Sequence, residues 1–427
     1  MIVLDRKVAP LARSIEKIKF PEIESRELSN GIPVYFLNAG SQEVIKIDLV
    51  MEAGQWFSDN VLVPNFCNRM LIEGSERFSH SEIADKLDFY GTFSSLECGK
   101  HFSQIQLFTL SHFFDKSVEI LEDFVKKPAF PEDKLKILLQ NEVQQFIVNH
   151  EKTDVLAADE FIPRIFGRNH PYGKIREYSD FEHVNLDDLK YFHGKFYNSS
   201  NCKILVSGKL HREVMDVLEH HFGKQDWSGE KAIPEINGFD HPEPGKFKVK
   251  KKNAVQSSIL VGNKTINKKH PDYFGLSVLN TILGGYFGSR LMIAIREKEA
   301  LTYGIYSSLS SALHSGTFSI SANVNSKLVE KAIKAIYREV DRLKTELLSL
   351  NELETVKSYL SGEMLRAFDG PLAVSEIFSD LLPYGLELDY YQDYFETLKN
   401  IDPETIRDLA EKYFVNENFT EVIAGNL

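Results

Sequence analysis

The sequence has little cysteine: its three cysteines, Cys67, Cys98 and Cys202, are too few for a disulfide framework. An odd number of cysteines is typical of a reducing compartment. The sequence also lacks a long apolar run, because segment 273–288 is interrupted by polar residues and glycines, which excludes an uninterrupted membrane-spanning helix there. Residues 1–17 have no apolar stretch after a basic start, so we expect no signal peptide. These absences predict a cytoplasmic protein without membrane contact.

Positive charge is also scarce. Lysine and arginine number 50 against 62 aspartates and glutamates, which gives a formal charge of −12. A chain this acidic repels phosphate backbones, so nucleic acid is excluded as a general partner. Hydrophobic residues make up 43% of the chain and charged residues 26%, which is ordinary globular composition and excludes a disordered or collagen-like protein.

The chain repeats itself once. Three pairs of segments match, at 90–96 and 303–309, at 111–121 and 326–336, and at 184–210 and 401–427. The offset between partners stays between 213 and 217 residues, and the last match aligns Gly208 with Gly425. The constancy of the offset indicates an internal duplication, with copies too long for a small solenoid repeat.

The duplication predicts an N-terminal half at 1–223, a Gly- and Pro-rich linker at 224–246, and a C-terminal half at 247–427. Strands are predicted at 31–38, 45–52, 102–110, 255–262 and 316–325. Hairpin strands mixed with clustered helices favour an α+β fold, in which each half is a mostly antiparallel sheet with helices packed on it. We expect the strand near 256–262 to be a sheet edge that could accept an extended peptide.

Several segments, in this order, resemble the pitrilysin/insulinase/mitochondrial processing peptidase family of zinc metallopeptidases. They are NGIPVYFLNAG at 30–40, AGQWF at 53–57, HPYG at 170–173, SNCKILVSGKL at 200–210 and LGGYFGSRLMIAIREKEALTYG at 283–304. The resemblance runs over nearly the whole chain. It implies two halves that face each other as a clamshell, in a chain that assembles with a second chain of two halves.

The zinc-binding motif of that family is absent from this chain. Active members carry His-x-x-Glu-His on the first long helix, where both histidines bind zinc and the glutamate is the general base. The matching positions here are Asn65, Asn68 and Arg69. Asparagine is a poor neutral ligand, arginine is a permanent cation that repels Zn²⁺, and no base remains at Asn68. The distal glutamate ligand of the family falls on Gln145, or on Glu142 if the alignment is three residues out of register. We therefore predict no catalytic residue, metal ligand or cofactor in this chain.

The resemblance also implies what the chain does without zinc. In some two-chain members a zinc-free subunit supplies an Arg and a Tyr that hold peptide substrate, and these match Arg296 and Tyr303. The family usually has glycine where this chain has Ala300. The alternatives are a solvated helix residue for Arg296 and core packing for Tyr303. Arg290 is expected to brace the glycine-rich loop at 284–288, whose glycines would let substrate or partner approach closely.

The implied function is a zinc-free substrate-binding subunit of a heterodimeric zinc metallopeptidase, a pseudoenzyme whose zinc lies in a homologous His-x-x-Glu-His partner. Two other classes of function stay open. One is a structural or assembly subunit, as in respiratory complexes whose core subunits share this fold. The other is a stand-alone peptide-binding module or homodimer.

Overall fold

The structure, a computed structural model, describes residues 20–234 and 242–426. The expectation for residues 1–17, the linker residues 235–241 and the terminal Leu427 lie outside the described residues. The first sheet has six strands: β1 (Glu24–Glu27), β2 (Pro33–Asn38), β3 (Val44–Met51), β4 (Phe93–Cys98), β5 (Ser103–Leu110) and β6 (Cys202–Gly208). The second sheet has five: β7 (Lys246–Lys250), β8 (Gln256–Thr265), β9 (Thr302–Ala312), β10 (Ser315–Asn325) and β11 (Thr420–Gly425).

Apart from the additional edge strand β1 in the first sheet, both sheets have the same topology. The strand order is β1-β2-β6-β3-β5-β4 in the first and β7-β11-β8-β10-β9 in the second. In each sheet only one pair is parallel, β2 with β6 and β7 with β11, and the other neighbours are antiparallel. The α+β prediction, with two homologous and mostly antiparallel halves, is therefore confirmed. The expectation that 256–262 is an edge was wrong, because β8 lies between β10 and β11.

Matching residues of the repeat lie at matching points of the fold. Ser111 and Ser326 each begin a short 3₁₀ turn between a hairpin strand and a long helix. Gly208 and Gly425 end β6 and β11 with φ of 119° and 159°. A Cβ at these glycines would lie 2.2 Å from Val44 O and 2.1 Å from Ser257 Oγ, so neither position accommodates a side chain.

Most helices of each half pack on one face of that half's own sheet. The first half contains α1 (Leu62–Met70), α2 (His80–Phe89), α3 (Phe114–Lys126), α4 (Glu132–Asn149), α5 (Thr153–Phe166), α6 (Tyr178–Glu182), α7 (Leu186–Phe196) and α8 (Val214–Phe222). The second contains α9 (Tyr273–Asn280), α10 (Val329–Thr345), α11 (Leu350–Ala367), α12 (Pro371–Leu381), α13 (Tyr390–Asn400) and α14 (Pro403–Tyr413), with π-helical segments at Thr281–Gly285 and Met292–Lys298. Across residues 20–234 and 242–426, no helix is long and apolar enough to cross a membrane.

The two halves exchange one helix each. Helix α5 of the first half packs on β8 and β11 of the second sheet, and α12 of the second half packs on β6 and β2 of the first. A buried ionic group fixes α12, since Lys46 Nζ lies 2.9 Å from Asp48 Oδ1 and 2.6 Å from Glu376 Oε1. Lys46 and Asp48 are fully buried, and their burial raises the pKa of Asp48. The exchange ties the halves together through both sheets.

A second junction between the halves is aromatic. The Trp56 ring stacks on His101 with centroids 4.6 Å apart, and His101 Nε2 lies 2.6 Å from the Tyr172 hydroxyl. The turn between β9 and β10 joins this group, because the backbone N–H of His314 donates to Tyr172 Oη at 3.1 Å and its ring lies 5.2 Å from that of His101. Burial, followed by the nearby His314 and Lys100, lowers the pKa of His101 to about 3.

This junction predicts a loss of stability in acid. His101 titrates near 6.5 in the unfolded chain and near 3 in the folded one, so between these values the unfolded chain binds more protons. The free energy of unfolding is therefore unaffected by His101 above pH 6.5 and falls as the pH drops below it, by roughly 2–3 kcal/mol at pH 4. Denaturant unfolding at pH 7 and pH 4 should show a smaller pH-dependent loss for His101→Gln than for wild type. The exposed control His220→Gln should match wild type, and an equal loss in all three proteins would refute this role for His101.

Candidate functional site

Helix α1 carries the positions that match the zinc motif. Its apolar residues, such as Phe66 and Met70, are buried in the core of the first half. Asn65 and Arg69 are half-buried and lie four residues apart, on one face of the helix. Asn68 is fully buried, and its Nδ2 donates a hydrogen bond to the Tyr197 hydroxyl at 3.2 Å. The amide that replaces the general base of the motif is therefore hydrogen-bonded inside the protein.

Arg69 pairs with an acidic residue of helix α4. Its Nη1 lies 2.5 Å from Glu142 Oε1, and Arg176 Nη1 lies 3.6 Å from the other oxygen of the same carboxylate. Gln145 is exposed, one turn further along α4. Of the two positions considered for the distal glutamate, the contact with α1 favours Glu142. A guanidinium thus neutralises the carboxylate that faces the second histidine position.

Metal-ligating side chains do not cluster around helix α1 in the part of the chain that the structure describes. Over residues 20–234 and 242–426, no group of three His, Cys, Asp or Glu side chains could hold a metal ion. Cys67, beside Asn68, is buried, and desolvation raises its thiol pKa well above 9, so it stays protonated and unreactive.

The glycine-rich segment packs against its own sheet. A Cβ at Gly284 would lie 2.5 Å from the backbone nitrogen of Ser307 in β9, so this glycine allows close approach within the chain. Arg290 follows and binds Glu352 of α11 in a bidentate pair, with Nε–Oε1 and Nη2–Oε2 distances of 2.8 and 3.0 Å. The lack of a side chain at Gly284 thus makes room for strand β9 of the same chain. Arg290 thus ties the segment after the loop to α11, and its bracing of the loop itself stays a prediction.

Arg296 lies on the π-helical segment Met292–Lys298, which packs against β9. Its guanidinium carbon is 4.6 Å from the ring centroid of Phe287, a cation–π distance, and Phe287 itself is 61% exposed. Arg296 is half-buried, and no acidic side chain in the described part of the chain pairs with its guanidinium. Phe287 was not predicted from the sequence as a site residue. Its position as an aromatic residue inside a glycine-rich loop could have indicated it.

Ala300 ends the turn that leads into β9. Its φ is +50°, in the left-handed region where glycine is favoured, and this explains why glycine is usual at the position. Leu301 N donates to Ile295 O at 3.0 Å and closes the turn. Ala300 therefore adopts the left-handed backbone conformation of this turn at the cost of some strain. The turn still connects Arg296 to Tyr303 although the position is not glycine.

Tyr303 is the second residue of β9 and is 90% exposed. The alternative of core packing for this residue is wrong. Strand β9 is hydrogen-bonded only to β10 within the described chain, so its outer edge is free. Tyr306, also on β9, is 52% exposed. The structure brings Arg296 and Tyr303 onto contacting elements, whereas no hydrogen bond, ion pair or ring contact of the described residues joins them to Asn65, Asn68 or Arg69.

Comparison with known proteins agrees with this fold. Residues 183–360 match the family described as "Peptidase M16 inactive domain". The chain is 24% identical over 409 residues to an "uncharacterized zinc protease" of Rickettsia bellii, covering 94% of this chain and 97% of that protein. It is also 24% identical over 310 residues to the "uncharacterized zinc protease YmxG" of Bacillus subtilis, covering 72% of this chain and 74% of that protein.

Two solved structures share the fold. One is described as a peptidase M16 inactive domain from Pseudomonas fluorescens, with a TM-score of 0.86 and 24% identity over 95% of this chain and 98% of that one. The other is described as a protease from Helicobacter pylori, with a TM-score of 0.85 and 19% identity over 95% of this chain and all of that one.

Proposed function

Because this chain is a member of the pitrilysin-type M16 peptidase family that lacks the catalytic site, we propose that it is the zinc-free, substrate-binding subunit of a two-chain zinc metallopeptidase. The substrate is an extended peptide, and the zinc and the general base belong to a homologous His-x-x-Glu-His subunit. The single observation that carries the proposal is that Arg296, which has no acidic partner among the described residues, and the exposed Tyr303 lie on elements that contact each other, and that β9 has one edge without a neighbouring strand.

The proposed chemistry is binding and orientation. The Arg296 fork donates to a peptide carbonyl or a carboxylate, and the Tyr303 hydroxyl supplies one more donor. Unpaired N–H and C=O groups along β9 hydrogen-bond the backbone of an extended peptide, which then continues the sheet. Such contacts fix the scissile bond relative to the partner's metal, and positioning of this kind lowers the barrier without a catalytic group in this chain.

Glu142 has a different place in this proposal. In a zinc-bearing relative a carboxylate there would be a metal ligand, whereas here Arg69 neutralises it. The pair preserves the packing of α1 on α4 and prevents adventitious metal binding. The contact between α1 and α4 therefore has a structural role in this chain, and the metal chemistry belongs to the partner subunit.

The experiment is purification from the native host, followed by identification of stably associated chains. We expect a His-x-x-Glu-His homologue in one-to-one ratio. Association with a large assembly that contains no such homologue would support the structural-subunit alternative and contradict the proposal, as would recovery as a homodimer alone.

A further inference from the structure

A groove of about 1000 Å³ lies between strand β7 and helix α10 of the second half. Its floor includes Glu421 and Ile423 of β11, and its wall includes Ile333 and Tyr337 of α10. The neighbouring residues Val422 and Ala424 of β11 pack with helix α5 on the opposite face of the sheet. The groove therefore lies on the face that the helices of the second half cover, beside α10.

The internal duplication shows what fills the same place in the first half. Strands β2 and β6 correspond to β7 and β11 by topology, and α3 corresponds to α10 because Ser111 and Ser326 precede them in the same way. In the first half helix α8 packs on α3. In the described part of the second half no helix occupies the corresponding position beside α10.

Individual contacts support this equivalence. Helix α8 meets α3 at Asp115, Glu122 and Lys126: the His221 ring lies 2.6 Å from Glu122 Oε2 and 3.5 Å from Asp115 Oδ1, and Lys126 Nζ donates to His221 O at 2.6 Å. The residues 215 positions later are Glu330, Tyr337 and Asp341. All three line the groove. The surface that receives α8 in one half is thus open in the other.

The apolar residues at the centre of this surface are also present in the second half, where they are more exposed to solvent. Val118 of α3 is fully buried, whereas its counterpart Ile333 is only half-buried. Tyr337 is also half-buried, and its hydroxyl donates to Glu421 Oε2 at 3.3 Å. Ile333, Tyr337 and Ile423 line the groove as its apolar strip, in which Ile333 and Tyr337 are the partly accessible residues.

The rim differs from the first half in charge. Val34 and Phe36 of β2 correspond to Lys246 and Lys248 of β7, because each pair faces the same positions of the neighbouring strand. The lining carries six basic residues, Lys246, Lys248, Lys327, Lys334, Arg338 and Arg342, against three acidic ones, Glu330, Asp341 and Glu421. Lys248, Lys327 and Lys334 form no ion pair with any described residue. A basic groove on a chain of net charge −12 selects an acidic occupant.

We propose that this groove binds an acidic amphipathic helix of a partner protein, in the place that α8 occupies in the first half. An apolar stripe of that helix packs on Ile333, Tyr337 and Ile423, and its flanking Asp and Glu side chains pair with the lysines of β7 and α10. This surface is separate from Arg296 and Tyr303, and the inference does not depend on the proposed peptidase role.

The test uses a defined probe. A fluorescein-labelled peptide of residues 209–223, with His211→Glu and Arg212→Glu to increase its acidity, is titrated with the full chain and followed by fluorescence anisotropy. We expect a Kd on the order of 10 μM at 50 mM salt and a loss of at least about fivefold at 300 mM, because the lysine contacts are screened. Lys248→Glu with Lys334→Glu should weaken binding by about tenfold or more. Exchange of two exposed lysines elsewhere, Lys136→Glu with Lys190→Glu, should leave the Kd unchanged.

Two further measurements keep the outcome decisive. A peptide that also carries Leu218→Pro should lose binding, since proline breaks a helix but is tolerated in an extended segment. A photo-crosslinker in place of Val217 should attach to β7 or α10. Absence of binding up to 1 mM (roughly 100-fold above the expected Kd), equal binding by the Lys248→Glu, Lys334→Glu variant or by the proline peptide, or attachment to α3 would each overturn the proposal.

Discussion

Replacing Asn65 and Arg69 together with histidine is expected to create a zinc site on helix α1, in a chain whose described residues include no group that could hold a metal ion. The two new imidazoles would lie four residues apart on one face of α1, the spacing that lets both bind one metal. Glu142 would be the third ligand, because its carboxylate already meets residue 69 at 2.5 Å. Two histidines and one glutamate suffice for tight zinc binding, so isothermal titration should give one zinc with a Kd on the order of 1 μM or lower. Wild type should bind at least about a hundredfold more weakly, because the Arg69 cation occupies the position.

The same background distinguishes the two positions considered for the distal ligand. Adding Glu142→Gln to the double variant should weaken zinc binding at least about tenfold, whereas adding Gln145→Ala should leave it unchanged. Circular dichroism of each protein controls for folding. Zinc binding that is insensitive to Glu142→Gln would show that α1 and α4 do not form the site inferred here. Tight zinc binding by wild type would contradict the loss of the site altogether.

Arg296→Ala and Tyr303→Phe are expected to lower peptide turnover by the two-chain complex without weakening its assembly. Under the proposed function each change removes a hydrogen-bond donor to bound peptide. Such a contact contributes about 1.5–3 kcal/mol for the charged Arg296 guanidinium, roughly a tenfold to hundredfold change in rate, and about 0.5–1.5 kcal/mol for the neutral Tyr303 hydroxyl, roughly a twofold to tenfold change. Tyr303 is 90% exposed, so loss of its hydroxyl should leave the stability of the free chain unchanged. Cleavage of a fluorogenic peptide and complex formation by size-exclusion chromatography are measured separately for each variant.

Exposed residues of the same types provide matched controls. Arg366→Ala on α11 and Tyr191→Phe on α7 should retain wild-type cleavage, since both side chains are exposed and neither lies on β9 or on the segment that carries Arg296. Wild-type cleavage by both the Arg296 and Tyr303 variants would refute the substrate role. A loss of assembly in parallel with activity would instead assign these residues to the subunit interface.

Much of the fold could be predicted because its signals are local. The strands predicted at 45–52 and 102–110 match Val44–Met51 and Ser103–Leu110 closely, since apolar and polar residues alternate in both at the two-residue period of a strand. The duplication was visible because the turns at Ser111 and Ser326, and the glycines at 208 and 425, need the same residue types in both copies. Loss of the zinc motif was equally local, within five residues of one helix.

The rest depends on contacts between distant parts of the chain. Strand β8 was predicted to be a sheet edge. Its local sequence contains no sign that β11, which lies far along the chain, pairs with it. The exchange of α5 and α12, and the packing of His314 on His101, are likewise non-local. The choice between Glu142 and Gln145 turns on which face of α4 meets α1, and only the pairing with Arg69 distinguishes them.

The most direct measurement of the central claim is peptide cleavage by this chain alone, by a His-x-x-Glu-His homologue from the same organism alone, and by the two mixed at equal concentration. The account predicts no cleavage by this chain, little by the homologue, and an increase of at least about tenfold on mixing that requires zinc. Equal cleavage by the homologue with and without this chain, or cleavage by this chain alone, would contradict it.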